Sequence, residues 1–244
     1  MRSTRHYIDA PLSVGARLSL PEAAFAHLVR VLRLGVGDSL ALFNGDGSDY
    51  AARLVSVAKK SAEVDLLERI PLDNESPLRI TLAQGIARGE KMDLILQKAT
   101  ELGVAAIAPV ITERTEVKLD GDRMEKKMQH WRGVLASACE QSGRARLPNL
   151  LEPQSLANFA AADGNTRRFI LDPGAGKTLT GADLGQQDSV TLLIGPEGGL
   201  SERDLSALRA ARYEGLQLGP RILRTETAGL AAIAALNVLY GDWR

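Results

Sequence analysis

One ten-residue run, Leu192-Leu193-Ile194-Gly195-Pro196-Glu197-Gly198-Gly199-Leu200-Ser201, dictates a buried strand, a glycine turn and a helix start in immediate succession. Thr191 to Ile194 are β-branched or apolar without alternation, as a strand covered on both faces requires. Gly195, Gly198 and Gly199 let the backbone turn sharply and approach a ligand closely. Ser201 followed by Asp204 is the S-x-x-D pattern of a helix N-cap. A second element of this kind follows, Leu218-Gly219-Pro220-Arg221-Ile222-Leu223-Arg224-Thr225-Glu226-Thr227-Ala228. Two special loops at strand ends of one α/β domain point to one ligand site built from both.

No Walker lysine follows the glycines of the first loop, so a P-loop is disfavoured, and with it a nucleotide hydrolase. No G-x-G-x-x-G opens a first βαβ unit, so an ordinary dinucleotide fold is not supported. Pro220, Arg221, Arg224 and Glu226 are costly choices for a mere turn. Equal numbers of acidic and basic residues, 30 of each, mean that no global field draws the chain to a polyanion or a membrane. Any polyanion site must therefore be a local patch. The single cysteine, Cys139, excludes an internal disulfide and fits a reducing, cytoplasmic setting, where it reads as a small buried hydrophobe. His6, His27 and His130 lack metal-ligand spacing, so no metal is expected. Asp9 and Pro11 stand where a signal peptide needs its apolar core. The Ala228–Tyr240 run is too short to span a bilayer and reads as a core helix.

The proline-bracketed polar stretch Pro71 to Pro77 reads as a linker between a domain over 1–72 and a second over 77–244. Before it, strands are expected at Ser39–Phe43, Tyr50–Val57 and Ala62–Leu67, with turn chemistry at Asn44-Gly45-Asp46-Gly47 and one helix over Glu22–Leu32. That is a small β domain, expected as a barrel. After the linker, strands are expected at Arg79–Gln84, Ala106–Ile111, Arg168–Leu171, Val190–Ile194 and Gly215–Leu218. Met92, Ile95, Leu96, Ala99 and Leu102 mark one face of a helix that Gly103 stops, and Met124–Glu140 and Glu202–Arg212 are further helices. Alternating strands and helices predict an α/β domain with a mostly parallel sheet covered on both faces.

Ligands of such sheets bind beyond the carboxyl ends of the strands. Leu171, Ile194, Leu218 and Leu223 would supply apolar walls there, and backbone groups of the glycine loops would read a polar heterocycle. No Ser-His-Asp or Cys-His set is placed for acyl transfer, so catalysis must rest on positioning and electrostatics. A cationic set stands apart: Arg2, Arg5 and His6 at the start, His27, Arg30 and Arg33 at three-residue intervals on the first helix, and Arg144 and Arg146 past a helix end. On that helix Phe25, Leu28, Val31 and Leu32 would face the other way. The set is expected to grip phosphates, since arginine suits bidentate phosphate contact.

His27-Leu28-Val29-Arg30-Val31-Leu32-Arg33, Gly89-Glu90-Lys91-Met92-Asp93, Gln97 to Gly103, Thr112-Glu113-Arg114, Glu140-Gln141-Ser142-Gly143-Arg144 and the two loops together carry a resemblance. The chain resembles the bacterial small-subunit rRNA uridine-N3 methyltransferases of the RsmE type, in the SPOUT class, nearly end to end. The resemblance implies a PUA-like barrel that binds RNA and a SPOUT α/β domain whose C-terminal part forms a trefoil knot. It implies S-adenosylmethionine held in a bent shape by Leu171, Ile194, Gly195, Pro196, Gly199, Leu218, Gly219, Pro220, Ile222 and Leu223. It also implies a homodimer with the site near the interface. The substrate would be a uridine of 16S rRNA (uridine 1498 in standard rRNA numbering) on the assembled small subunit.

N3 of uridine carries a proton at neutral pH, so the chemistry needs that proton removed. Arg224 is the candidate to stabilise the resulting anion, and Glu197 or Glu226 to accept the proton. Glu226 could equally serve the start of the last helix through its dipole. Two readings stay open beside this one: ribose 2′-O methylation on the same cofactor loops, and a non-catalytic RNA-binding ribosome-assembly factor.

Overall fold

A computed structural model describes residues 4–117, 121–162, 166–184 and 189–243. The chain divides into two compact units, Met1–Glu75 with Ala136–Leu147, and Ser76–Leu135 with Pro148–Arg244.

In the first unit, strands β1 (Arg5–Tyr7), β2 (Arg17–Ser19), β3 (Ser39–Phe43), β4 (Ser48–Val57) and β5 (Ala62–Pro71) form one sheet in the order β1-β3-β4-β5-β2. β1 runs parallel to β3, and the other pairs are antiparallel. Tyr50, Ala52 and Leu54 alternate inward along β4 and meet Leu42, Val64 and Leu66 in the core. The end strands β1 and β2 are three residues long, which keeps the exposed edges short. The β3–β4 turn is built as its composition requires. Gly45 and Gly47 take φ of +93° and +92°, and the Asn44 and Asp46 side chains accept from the backbone N–H groups of Asp46 and Ser48.

The expected helix over Glu22–Leu32 is an α-helical turn, α1 (Glu22–Phe25), that continues as a π-helix over Ala26–Val31. The Leu32 N–H reaches back five residues to the His27 carbonyl. The wider turn breaks the three-residue spacing read from the sequence. Phe25 and Leu28 are buried, whereas Val31 and Leu32 are exposed, and Arg33 lies beyond the helix in the left-handed region at φ +59°.

The second unit holds β6 (Arg79–Gly85), β7 (Ala106–Ile111), β8 (Asn149–Leu150), β9 (Gln154–Ser155), β10 (Arg167–Leu171), β11 (Ser189–Ile194) and β12 (Glu214–Leu216). Every pairing among them is parallel, in the order β12-β10-β11-β6-β7-β8, with β9 also on β7. Side chains alternate between two buried faces along β11. Val190, Leu192 and Ile194 join a core with α2 (Glu90–Glu101) and α6 (Thr225–Tyr240), while Leu193 joins a core with α4 (Leu156–Ala161) and α5 (Glu202–Ala210). Both faces are thus covered, which is why the strand reads as an unbroken apolar run. Gly103, at φ +85°, ends α2 with its N–H on the Thr100 carbonyl.

Two expectations need correction. The last strand ends at Leu216, so Leu218 belongs to the loop beyond it. Residues 136–147, the end of α3 (Gly121–Ser142) and the turn after it, pack with the first unit and not with the rest of 77–244. The cause is apolar: Cys139 and Ala145 are buried against Phe43.

Candidate active site

The strand ends singled out in the sequence converge on one cavity of about 640 Å³. Leu171 to Pro173 after β10, the loop after β11, and Leu218 with Arg221 to Leu223 after β12 line it, and the head of α6 closes it. Of the residues expected to hold a cofactor, Leu171, Ile194, Gly195, Pro196, Gly199, Leu218, Gly219, Ile222 and Leu223 are on the lining. Pro220 is not; Gly219 turns the chain at φ +68° and leaves Pro220 exposed. Arg224, Glu197 and Glu226 line the same space.

The β11 loop is held by contacts from three sides. Gln84, buried at the end of β6, donates from Nε2 to Thr225 Oγ1 at 3.0 Å, and Thr225 Oγ1 donates to the Gly195 carbonyl at 2.6 Å. This chain ties the loop to the first residue of α6. On the second side, the Glu197 carboxylate accepts from the Arg88 N–H and from Lys91 Nζ, both at 3.2 Å. Arg88 itself pairs with Glu116. On the third side, Arg114 Nη1 donates to the Gly198 carbonyl at 2.9 Å. Past the loop, Ser201 and Asp204 form the full capping box of α5, and Asp204 also accepts from the Glu113 N–H.

The glycines of this loop do different work. Gly199, at φ +70°, supplies the turn. Gly195 supplies space, since a Cβ there would lie 3.2 Å from Leu200 Cγ. The tightest glycine against this loop is one the sequence did not reveal. A Cβ on Gly85, at the end of β6, would lie 2.6 Å from both Cδ and N of Pro196.

The two carboxylates are not equivalent. Burial alone would raise the Glu197 carboxyl, but the backbone N–H groups of Glu197 and Arg88 and the Lys91 ammonium outweigh it and hold the group below its ordinary value. A depressed pKa means that Glu197 is ionised at neutral pH. The clasp is complete above the ordinary glutamate range and is lost as pH falls through the depressed value. A carboxyl carbon-13 titration of Glu197 is therefore expected to have its midpoint below that of an ordinary glutamate. Lys91→Ala should move that midpoint upward, and a midpoint unmoved by the substitution would refute the pairing. Glu226, in the first turn of α6, has a buried Oε2 with no hydrogen-bond partner. Arg224 occupies the N-cap of α6 but makes no capping hydrogen bond, and its side chain is exposed at the cavity. Arginine caps helices poorly, so helix energetics do not account for its place.

The cationic set of the first unit divides. The Arg5 guanidinium is saturated: it holds both oxygens of Asp49, at 2.8 and 2.6 Å, and the carbonyls of Cys139, Glu140 and Arg144. Arg144 is buried and paired with Glu75. These two are corrected from phosphate ligands to interior ion pairs. His6 is half-buried, 2.7 Å from Glu140, and stacked on His27 at 5.3 Å. His27, Arg30, Arg33 and Arg146 are exposed, with Arg30 over the Phe25 ring. Arg2 lies outside the described residues. Burial pushes the Cys139 thiol up to about 12, so it is inert as a nucleophile at neutral pH. Among the described residues no cluster of His, Cys, Asp or Glu could hold a metal ion, and no helix is long and apolar enough to cross a membrane.

Residues 74–237 match the family model described as an RNA methyltransferase domain, and residues 20–67 match an RNA methyltransferase PUA domain. Ribosomal RNA small subunit methyltransferase E of Buchnera aphidicola is 33% identical over 243 residues, covering 99% of this chain and 98% of the relative. This chain belongs to the ribosomal RNA small subunit methyltransferase E family. The family's Bacillus subtilis member is 31% identical, with 88% of this chain and 89% of the relative covered. The Neisseria gonorrhoeae member, solved bound to S-adenosyl methionine, is 38% identical with a TM-score of 0.90, each chain being covered in full. A Legionella pneumophila protein described as a methyltransferase, solved with bound SAM, is 40% identical with a TM-score of 0.94, covering 99% of this chain and 100% of that one. The fold is thus a PUA domain followed by an RNA methyltransferase domain.

Residues absent from the expected site carried uneven signals. Lys91 and Arg114 stand inside stretches that bear the family resemblance, so their place was open to inference. Gln84 reads as the plain end of a strand and Gly85 as the residue after it, whereas Asp172 and Pro173 belong to the Leu171–Gly174 strand end already expected to border the ligand.

Proposed function

We propose that the chain transfers the methyl group of S-adenosylmethionine to N3 of a uridine in 16S rRNA, uridine 1498 by resemblance. We propose further that it acts as a homodimer in the cytoplasm on the assembled small subunit. One observation carries the reading: an apolar-walled cavity at the carboxyl ends of parallel strands, with Arg224 and Glu226 together at its rim. Relatives named for small-subunit rRNA methylation and solved with the cofactor support it.

The cavity fits S-adenosylmethionine. Leu171, Ile194, Leu218 and Leu223 offer apolar walls to a heterocycle, and Gly195, Pro196 and Gly199 bring the loop itself onto the lining. The unpartnered Glu226 oxygen awaits a donor or a cation. When bound, the cofactor supplies an electrophilic methyl carbon. The protein's own part is to make N3 a nucleophile. Arg224 would donate to a uracil carbonyl oxygen as negative charge spreads onto it. Glu226 is better suited than Glu197 to take the N3 proton, because Glu197 is already held by Lys91 and two N–H groups. His27, Arg30, Arg33 and Arg146 are the exposed cations that would meet phosphates. The C-terminal knot belongs to the same reading. Its support is that the chain passes from β11 beyond β10 to β12, then returns past the ends of both strands at 218–224.

Labelled methyl transfer to unmodified small subunits, followed by nucleoside mass spectrometry, tests the reading. A 3-methyluridine product supports it, and a 2′-O-methylated nucleoside or no transfer overturns it. Gly85→Ala supplies a structural check. Its Cβ must displace Pro196, and overpacking of this kind costs about 1–3 kcal/mol. Expressed at the loop, that is about a 5- to 150-fold rise in cofactor Kd by calorimetry. An unchanged Kd would show that the β11 loop does not hold the cofactor.

A further inference from the structure

Ile222 is 83% exposed, more than any other large hydrophobic among the described residues, yet it sits on the lining of the cavity. A lone exposed apolar side chain is ordinary on a protein surface. This one is set apart by its neighbours. Leu218 and Leu223 on the same loop are half-buried, and Leu218 packs on the core. Arg221 and Arg224, on either side of Ile222, are exposed, and among the described residues neither guanidinium has a hydrogen-bond or ion-pair partner. The loop is fixed at both ends. Gln217 N–H donates to the Lys177 carbonyl, and the Arg224 carbonyl begins α6 by accepting from Thr227 and Ala228. A fixed loop thus presents one apolar tip between two unneutralised cations, at the mouth of the reaction cavity. Since the chain as a whole carries no net charge, only local groups of exposed cations can complement a polyanion, and this pair is the one at the cavity.

We propose that Ile222 is a wedge that enters the RNA at the place vacated by the target base, while Arg221 holds an adjoining phosphate. The proposal rests on the reading that a uridine base is methylated. N3 lies on the pairing edge of uracil, so a stacked or paired uridine must be extruded before it reaches the cavity. Apolar side chains inserted between base steps hold such a gap open. The order along the chain fits: Arg221 and Ile222, both exposed on the cavity lining, precede Arg224 at the head of α6.

The test uses small subunits reconstituted with 16S rRNA bearing 2-aminopurine beside uridine 1498, bound by the full-length protein together with S-adenosylhomocysteine. Wild-type protein should raise the 2-aminopurine fluorescence as the stack opens, and Ile222→Ala should lose most of that rise. In turnover, the ratio of kcat/KM on subunits with this RNA to that on subunits whose RNA has abasic flanks should fall at least tenfold in Ile222→Ala. Arg221→Gln should lower the slope of log affinity against log salt by about 0.7. Four results overturn the wedge: no fluorescence rise with wild type, an unchanged rise in the variant, an equal fall on both RNAs, or a drop to half the mass by sedimentation. The last would show that Ile222 is covered by a second copy of the chain. Failure of the underlying reading looks different, since wild type would then open the stack yet form no 3-methyluridine.

Discussion

Arg224→Ala is expected to lower kcat for methyl transfer by about 10²- to 10³-fold while changing cofactor affinity little. The guanidinium is exposed at the cavity, has no partner among the described residues, and sits on a residue that does nothing for its helix as a cap. A group so placed acts where charge develops. Loss of the N3 proton spreads negative charge over the two carbonyl oxygens of uracil, and a donor aimed at either is stronger there than in water. The loss should therefore fall on kcat and leave KM for the cofactor near its wild-type value. Arg224→Lys should recover part of the rate, because the charge remains while the planar fork is lost. Equal loss in kcat and in cofactor affinity would instead make Arg224 a cofactor ligand, and an unchanged kcat would remove it from the chemistry.

The site was legible where the physics is local. The run of β11 could be read because a strand covered on both faces is apolar or β-branched without alternation, as Val190 to Ile194 are. The S-x-x-D cap could be read because capping is settled within four residues. The convergence of the three loops followed from the general placement of ligands in parallel sheets. What escaped depended on partners far away in sequence. Gly85 matters only because Pro196 lies against it, more than a hundred residues later. Glu197 and Glu226 look alike in the sequence, and they differ through Arg88 and Lys91, which reach only the first. The π-helix escaped because nothing local marks the change from four-residue to five-residue hydrogen bonds, and this turned Val31 and Leu32 outward. β2, β8 and β9 are two or three residues long, too short for any period to show.

Arg5→Ala tests the largest of these reversals, because a solvated arginine and an interior one fail in opposite ways. All five N–H donors of Arg5 are engaged, two on Asp49 and three on backbone carbonyls at and beyond the end of α3. The side chains of Arg5 and Asp49 are each 13% exposed. Removing the guanidinium leaves the Asp49 carboxylate in place with its partner gone, along with three carbonyls that water reaches poorly. Breaking a buried pair from one side costs about 3–5 kcal/mol, much of the stability of a small domain. The guanidinium also lies 4.6 Å from the Phe43 ring centroid, so packing is lost together with charge. Chemical denaturation of Arg5→Ala should show this loss. Arg5→Ala with Asp49→Ala should recover part of it, since the stranded charge is then absent. A phosphate ligand predicts the reverse: little change in stability and a shallower salt dependence of RNA binding. The saturated geometry leaves Arg5 no donor to offer a phosphate, so the salt slope should match that of the wild type wherever the variant is folded.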